Sequence, residues 1–338
     1  MSKKELTDTF QGAIAPKDIA VRMESVSKTF TRWQRRDNTT QKERASGQEQ
    51  GPKKENAREN VMEETGASGK ERMFSKEKLQ RIFRQEKTVT ALDNVSFQIG
   101  RGEFVAYAGP NGAGKSTTMK LLSGMLQPTS GDLSVLGMSP EKERIALMKK
   151  LGVLFGNRTE LWWDHPVIQS FAWKKVVWDI PDEVYRRNLD MVTELLDMGE
   201  IRNTFARELS LGQRMRADLA MMLLHSPELI LLDEPTLGLD VVAKRQMIEF
   251  LKRINREEGV TILVTSHDMD DLEEMARRIL MISDGKLAFD GSFDGLRDIT
   301  GNLTHFTVTT DGRMPELEGC RLLGGKHGVL KWTCPACP

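Results

Sequence analysis

"EFVAYAGPNGAGKST", Glu103–Thr117, is the stretch that decides the fold. Glu103–Ala108 is an apolar-rich run that reads as a strand. "GPNGAGKST" (Gly109–Thr117) then matches G-x-x-x-x-G-K-[ST] in full and leads into a helical pattern. Strand, glycine loop, helix is the context in which this pattern binds phosphate. Gly109, Gly112 and Gly114, with Pro110, Asn111 and Ala113 between them, let backbone N–H groups curl around anionic oxygens. The helix N-terminus adds positive potential. Lys115 supplies a charge to the β- and γ-phosphates, Ser116 a hydroxyl to Mg²⁺, and Thr117 is placed for the α-phosphate.

Upstream, "IAVRMESVSKTF" (Ile19–Phe30) alternates like a strand, after an 18-residue N-terminal tail. Residues 33–87 are dominated by Lys, Arg, Glu, Gln, Asn, Ser and Gly and read as a polar, disordered insertion. Its tail, "FSKEKLQRIFRQEK" (Phe74–Lys87), has the pattern of a short basic amphipathic helix, either a linker or a surface contact. Asn94–Ile99 reads as a further strand before the turn "GRG".

Downstream, apolar runs alternate with helical patterns. "ELILLD" (Glu228–Asp233) and "VTILVTS" (Val260–Ser266) read as strands buried on both faces. "VVAKRQMIEFLKRINREE" reads as a helix closed by Gly259. The alternation predicts an α/β fold with a mainly parallel sheet core. Between about 140 and 227 the pattern is nearly all helical apart from the strand "LGVLF", which suggests an inserted helical subdomain. Residues 299–338 form a small appendage with strand signals in "LTHFTVTT" and "GVLKW".

Zero formal net charge gives no support for a nucleic-acid partner. The three cysteines all follow residue 319 and make no disulfide framework, which points to a reducing compartment. "CPACP" reads as an incidental tail, since a zinc site needs four ligands and only Cys320 and His327 lie near enough in sequence to join Cys334 and Cys337. No stretch reaches the roughly 18 apolar residues that cross a bilayer.

"LILLDEP" (Leu229–Pro235) ends its strand in two carboxylates. Asp233 emerges where ligands bind in open α/β sheets and is the candidate Mg²⁺ ligand opposite Ser116. Glu234 follows and is the candidate base for an attacking water. His267, just past the next buried strand, can hydrogen-bond the γ-phosphate and hold the geometry of that water.

Taken in order, the phosphate loop, "LSLGQ", "LLDEP", "TLGLD" and "TSHD" resemble the ATPase subunits of ATP-binding cassette (ABC) transporters from Ile19 to about Asp298, interrupted by the polar insertion. The resemblance implies a P-loop NTPase fold of the ABC type, with an antiparallel β subdomain beside the parallel core. It also implies ATP and Mg²⁺ as ligands and a head-to-tail dimer, a homodimer or a pair with a related ATPase subunit. In that dimer each phosphate loop faces the signature motif of the other subunit. It further implies a separate transmembrane permease, with this chain peripheral on the cytoplasmic face of the membrane. By the same resemblance Asp240 couples the two sites, and Phe30 stacks on adenine, with Trp33 as a rival. The signature reads Leu209-Ser210-Leu211-Gly212-Gln213 where the commonest form is LSGGQ. Ser210 keeps the hydroxyl and can cap a helix, Gly212 keeps the close approach, and Gln213 completes the motif. Leu211 shares i, i+4, i+8, i+11 spacing with Met215, Leu219 and Met222, so it is expected to pack inward. With "LWWDHP" (Leu161–Pro166), the signature resembles bacterial exporter ATPases of the daunorubicin and multidrug type.

One position departs from the family. Where its members usually carry a glutamine that touches Mg²⁺ and links to the permease, this chain has Gly156-Asn157. Asn157 carries the same amide on a shorter stem. Trp162, Trp163 and Phe171 beyond it either dock the permease or pack in the core. Two other functions stand beside ATP-driven export. One is a non-transport ABC protein, for which the single cassette and short helical region are unsuited. The other is a nucleotide-gated module that hydrolyses poorly, which Glu234 and His267 oppose.

Overall fold

The computed structural model describes residues 18–35, 84–155, 159–300, 303–309, 321–326 and 329–335. Two compact units are distinguished, residues 1–28 with 91–338, and residues 29–90.

The core is a six-stranded sheet of order β5-β6-β7-β3-β8-β9, built from β3 (Phe104–Ala108), β5 (Leu151–Phe155), β6 (Leu229–Asp233), β7 (Thr261–Thr265), β8 (Arg278–Ser283) and β9 (Lys286–Ser292). All neighbours are parallel except β8 and β9. Parallel strands covered on both faces need apolar residues at every position. In β6, Ile230 and Leu232 join one hydrophobic core while Leu229 and Leu231 join the other, the two-residue period of a strand. The first core is closed by α3 (Val167–Val177), α4 (Asp182–Leu195), α5 (Leu211–Leu223) and α6 (Val241–Glu258). The second lies under α1 (Lys115–Leu122) and an antiparallel sheet of order β2-β1-β4, formed by β1 (Ile19–Arg35), β2 (Arg84–Gly100) and β4 (Ser130–Val135). α2 (Arg144–Met148) precedes β5, and α7 (Met269–Met275) and α8 (Phe293–Thr300) follow β7 and β9.

α6 buries Met247, Ile248, Phe250, Leu251 and Ile254, one stripe at helical spacing. Asp240 caps its start and Gly259, at φ 65°, ends it in the left-handed conformation. β8 and β9 are joined by Asp284-Gly285, both at positive φ, the two-residue turn whose twist suits a hairpin. That turn reaches back to the phosphate loop: the Gly285 N–H donates to the Ala113 carbonyl at 3.1 Å, and its own carbonyl accepts from the Asp93 N–H at 2.8 Å.

The C-terminal appendage is a three-stranded antiparallel sheet of order β10-β12-β11, from β10 (Leu303–Thr309), β11 (Arg321–Lys326) and β12 (Val329–Pro335). Its strands cover both segments expected there. Strands reach into both ends of the segment expected as a polar insertion over residues 33–87: β1 runs on to Arg35 and β2 begins at Arg84. The last four residues of the expected basic helix, Arg84–Lys87, are therefore strand, because backbone pairing does not require apolar side chains. The rest of the insertion lies outside the described residues, as do Cys320, His327 and Cys337.

Candidate active site

Because β3, β6 and β7 are parallel, their C-terminal ends share one edge of the sheet. The sequence therefore delivers the phosphate loop, the two carboxylates and His267 to the same edge. This is where an open α/β sheet binds its ligands.

The loop after β3 is shaped by what its glycines exclude. A Cβ on Gly109 would lie 2.2 Å from the Ile282 carbonyl oxygen, and one on Gly114 2.7 Å from the Ala91 oxygen. Gly114 sits at φ 114° immediately before α1. Lys115 is only 6% exposed, and its ammonium donates to the loop's own Gly109 and Pro110 carbonyls at 2.7 and 3.2 Å. Those carbonyls face the ammonium, so the loop closes around the lysine's charge. Beneath it the buried hydroxyls of Tyr107 and Thr118 are 2.9 Å apart, and Thr118 also donates to the Gly114 carbonyl. Burial pushes the Tyr107 phenol well above its usual range. Ser116 is exposed and Thr117 half-buried at the head of α1.

The carboxylates are held by β7. Asp233 pairs in register with Thr265, whose hydroxyl donates to Asp233 Oδ1 at 2.7 Å. The same hydroxyl accepts from the Glu234 N–H at 3.0 Å. Glu234 leaves the strand at φ 57°, a left-handed backbone that costs a side-chain-bearing residue about 1–2 kcal/mol. The carbonyl of Thr265 takes the same N–H at 3.1 Å and helps fix that turn. The Glu234 carboxylate then meets His267, Oε1 to Nε2 at 2.7 Å. His267 thus touches the candidate base directly, a contact not expected from the sequence. Thr265 was also missed. Its signal, a threonine closing the strand before His267, has meaning only once the register with Asp233 is known.

One carboxylate and one exposed hydroxyl, Asp233 and Ser116, fit a Mg²⁺ ion, which draws most of its ligands from water and phosphate oxygens. Among the described residues no cluster of three or more His, Cys, Asp or Glu could hold a metal by itself. The glycine cradle and buried lysine likewise fit the phosphates of ATP.

The signature motif opens α5. Ser210 Oγ accepts from the Gln213 N–H at 3.2 Å, and the Gln213 side chain accepts from the Ser210 N–H at 2.9 Å, a closed capping box. Among the described residues no hydrogen bond or ion pair joins Ser210, Gly212 or Gln213 to the Lys115 loop of the same chain. Leu211 corrects the expectation of inward packing. Met215, Leu219 and Met222 are buried, but Leu211 is 41% exposed. It is the first helical residue, and its side chain leans toward the N-terminus, beyond the core face. There it covers Gly238, where an added Cβ would lie 3.1 Å from Leu211 Cδ2. Asp240 accepts from the Ala243 N–H at 2.8 Å as the cap of α6.

The aromatics divide. Phe171 is fully buried in the core, whereas Trp162 and Trp163 are 39% and 49% exposed. Asp218 is buried on α5 and accepts from the Thr159 hydroxyl and the Glu160 N–H. Burial pushes its carboxyl up to about 7, against the pull of those hydrogen bonds. Asn157 lies outside the described residues. Phe30 belongs to the unit of residues 29–90, where it is exposed on β1.

Comparison with known proteins shows the family and the fold. A family model described as "ABC transporter" matches residues 92–237. A Clostridium acetobutylicum protein assigned to the ABC transporter ATP-binding proteins is 31% identical over 214 residues, 63% of this chain and 76% of that one. YhcH of Bacillus subtilis, an uncharacterized ABC transporter ATP-binding protein, is 35% identical over 59% of this chain and 64% of its own length. The Escherichia coli protein named "Probable multidrug ABC transporter ATP-binding protein YbhF" is 36% identical, and the match spans 63% of this chain and 36% of that one. The chain thus spans less than two thirds of the length of some curated relatives it matches. Among solved structures, the ATP-binding cassette MJ0796, in a dimeric post-hydrolysis state with ADP and Pi, superposes with a TM-score of 0.58 at 21% identity. It covers 80% of this chain and 98% of that one. CbiO1 of Clostridium perfringens superposes with a TM-score of 0.59 at 21% identity, over 84% and 91%. These two structures share the fold.

Proposed function

Since the chain belongs to the ABC transporter family of ATP-binding proteins, we propose that it is the ATP-hydrolysing subunit of a transporter, powering export through a separate permease. The observation that carries the hydrolytic part is the contact of Glu234 with His267 at 2.7 Å, at the sheet edge that bears the Lys115 loop. A lysine cradle alone binds phosphate. A carboxylate held by an imidazole beside it gives a water a base.

The loop N–H groups and Lys115 bind the phosphates and draw off the charge that develops on them. Ser116 and Asp233 would hold Mg²⁺, which would supply further positive charge to the phosphates. Glu234 takes the proton of the attacking water, and His267, its Nε2 2.7 Å from the Glu234 carboxylate, fixes its direction. Thr265 keeps Asp233 and the Glu234 backbone in place. Ser210 serves the second copy of the subunit. Its oxygen is engaged by the Gln213 N–H, which leaves its proton for a phosphate across the interface. Asp240 lies in the loop that meets the same interface. Trp162 and Trp163, exposed beyond β5, suit the permease contact on the cytoplasmic face of the membrane. No described helix is long and apolar enough to cross it.

The test is Glu234→Gln in the full chain. Phosphate release should fall about 10²–10⁴-fold, the usual contribution of a general base. ATP affinity should stay within about threefold. The variant should double in mass on gel filtration in Mg-ATP. Hydrolysis at the parent rate removes Glu234 from its role, and a monomer at saturating Mg-ATP removes the two-copy site.

A further inference from the structure

Asp218 interrupts a run of buried apolar residues on α5, between Ala217 and Leu219, and is itself 8% exposed. A buried carboxyl is costly unless partnered. Both partners of its Oδ1 lie on one loop, the Thr159 hydroxyl at 2.8 Å and the Glu160 N–H at 3.3 Å. The Thr159 hydroxyl in turn accepts from the Leu161 N–H at 3.1 Å. One helical turn earlier, on the same face of α5, the Arg214 guanidinium lies 4.5 Å from the Trp163 ring centre. α5 therefore grips the 159–163 segment at two points. A third contact, Lys174 to Glu160 at 3.0 Å, ties that segment to α3.

The two ends of this arrangement matter. α5 starts at the Ser210 cap, and Asp218 lies eight residues on, about 12 Å along the helix axis. The gripped segment follows β5, whose last residue Phe155 pairs with Asp233. It carries Trp162 and Trp163 at the surface. We infer that Asp218 is a positioning residue that makes the 159–163 loop follow α5, so that nucleotide engaging Ser210 is felt at Trp163. The inference rests on the proposed role of Ser210 toward nucleotide. An apolar residue would fill the same space without grasping the loop, so the grip needs an oxygen acceptor at this position.

The experiment uses the full chain with Glu234→Gln, so that bound ATP persists. Trp163 fluorescence is isolated as the difference from a matched Trp163→Phe protein, with and without Mg-ATP. The parent should show an ATP-dependent Trp163 change. Asp218→Leu should lose most of it, about fivefold, while ATP affinity by equilibrium dialysis moves less than about threefold. Asp218→Asn, which keeps the acceptor oxygen, should restore it. Thr159→Val removes the donor from the other side, carries the same expectation as Asp218→Leu, and decides the matter if Asp218→Leu does not fold. A full-sized Trp163 change in Thr159→Val, a failure of Asp218→Asn to rescue, or a silent Trp163 in a parent that binds ATP overturns the inference. A parent that binds no ATP instead overturns the functional proposal on which it rests.

Discussion

The phosphate loop and the carboxylate pair stand at the same sheet edge, one strand apart, and are made of different materials. The loop after β3 is built from backbone. Its shape comes from glycines that keep Cβ atoms off Ile282 and Ala91, and from a lysine held by the loop's own carbonyls. The pair after β6 is built from side chains of another strand. Thr265 locks Asp233 and the Glu234 backbone, and His267 meets the Glu234 carboxylate. A backbone site fails when an atom is added. A side-chain site fails when an atom is taken away.

Adding one atom should give the largest effect. Gly114→Ala places a methyl 2.7 Å from the Ala91 carbonyl at a φ of 114°, so the cradle must open. ATP affinity should fall more than about 100-fold by calorimetric titration, equivalent to about 2.7 kcal/mol. Next comes the pH dependence of a side chain outside the catalytic edge. Asp218 holds a proton in the fold up to about 7, whereas an unfolded aspartate releases it near 3.9. Across that window the folded state binds more protons, so raising the pH removes stability until about pH 7. Glu160 opposes ionisation and Arg214 favours it. His225 runs the other way: burial lowers it to about 4, so stability is lost as pH falls from about 6.5 toward that value. Asp218→Asn should therefore gain stability relative to the parent as pH rises from 5 to about 7.5, measured by urea unfolding at each pH.

Taking away the oxygen that joins the carboxylates is the third test. Thr265→Val keeps the volume but leaves Asp233 without its donor and Glu234 N–H with one acceptor fewer. The turnover number should fall about tenfold, the effect of about 1.4 kcal/mol at the transition state, with little change in KM for ATP. The smallest effect belongs to the helix cap. Ser210→Ala should cost about 1 kcal/mol in chemical denaturation, because it opens the capping box at α5.

The same contrast explains what was legible in the sequence. A backbone-built loop carries its instructions in consecutive residues, so Gly109–Thr117 and its flanking strand and helix stood out at once. β6, β7 and α6 were equally plain, because continuous apolar runs and a closing glycine are local signals. Thr265 was invisible because its meaning depends on facing Asp233 across a strand boundary. Asp218 was invisible because its partners lie 58 and 59 residues away. Periodicity placed Leu211 with Met215 and Leu219, yet periodicity describes an endless helix. At the first helical residue the side chain leans past the end of the core and covers a neighbouring loop instead.

That leucine couples two positions: the side chain at 211 sets the space over 238. With Leu211 above it, Gly238 can take a side chain only if Leu211 gives way by a few tenths of an ångström. Its φ of 77° would otherwise admit asparagine, the residue most at ease in left-handed backbone. A substitution at 238 therefore has to be met by a shift of the Leu211 side chain, and Leu211→Ala would remove that contact.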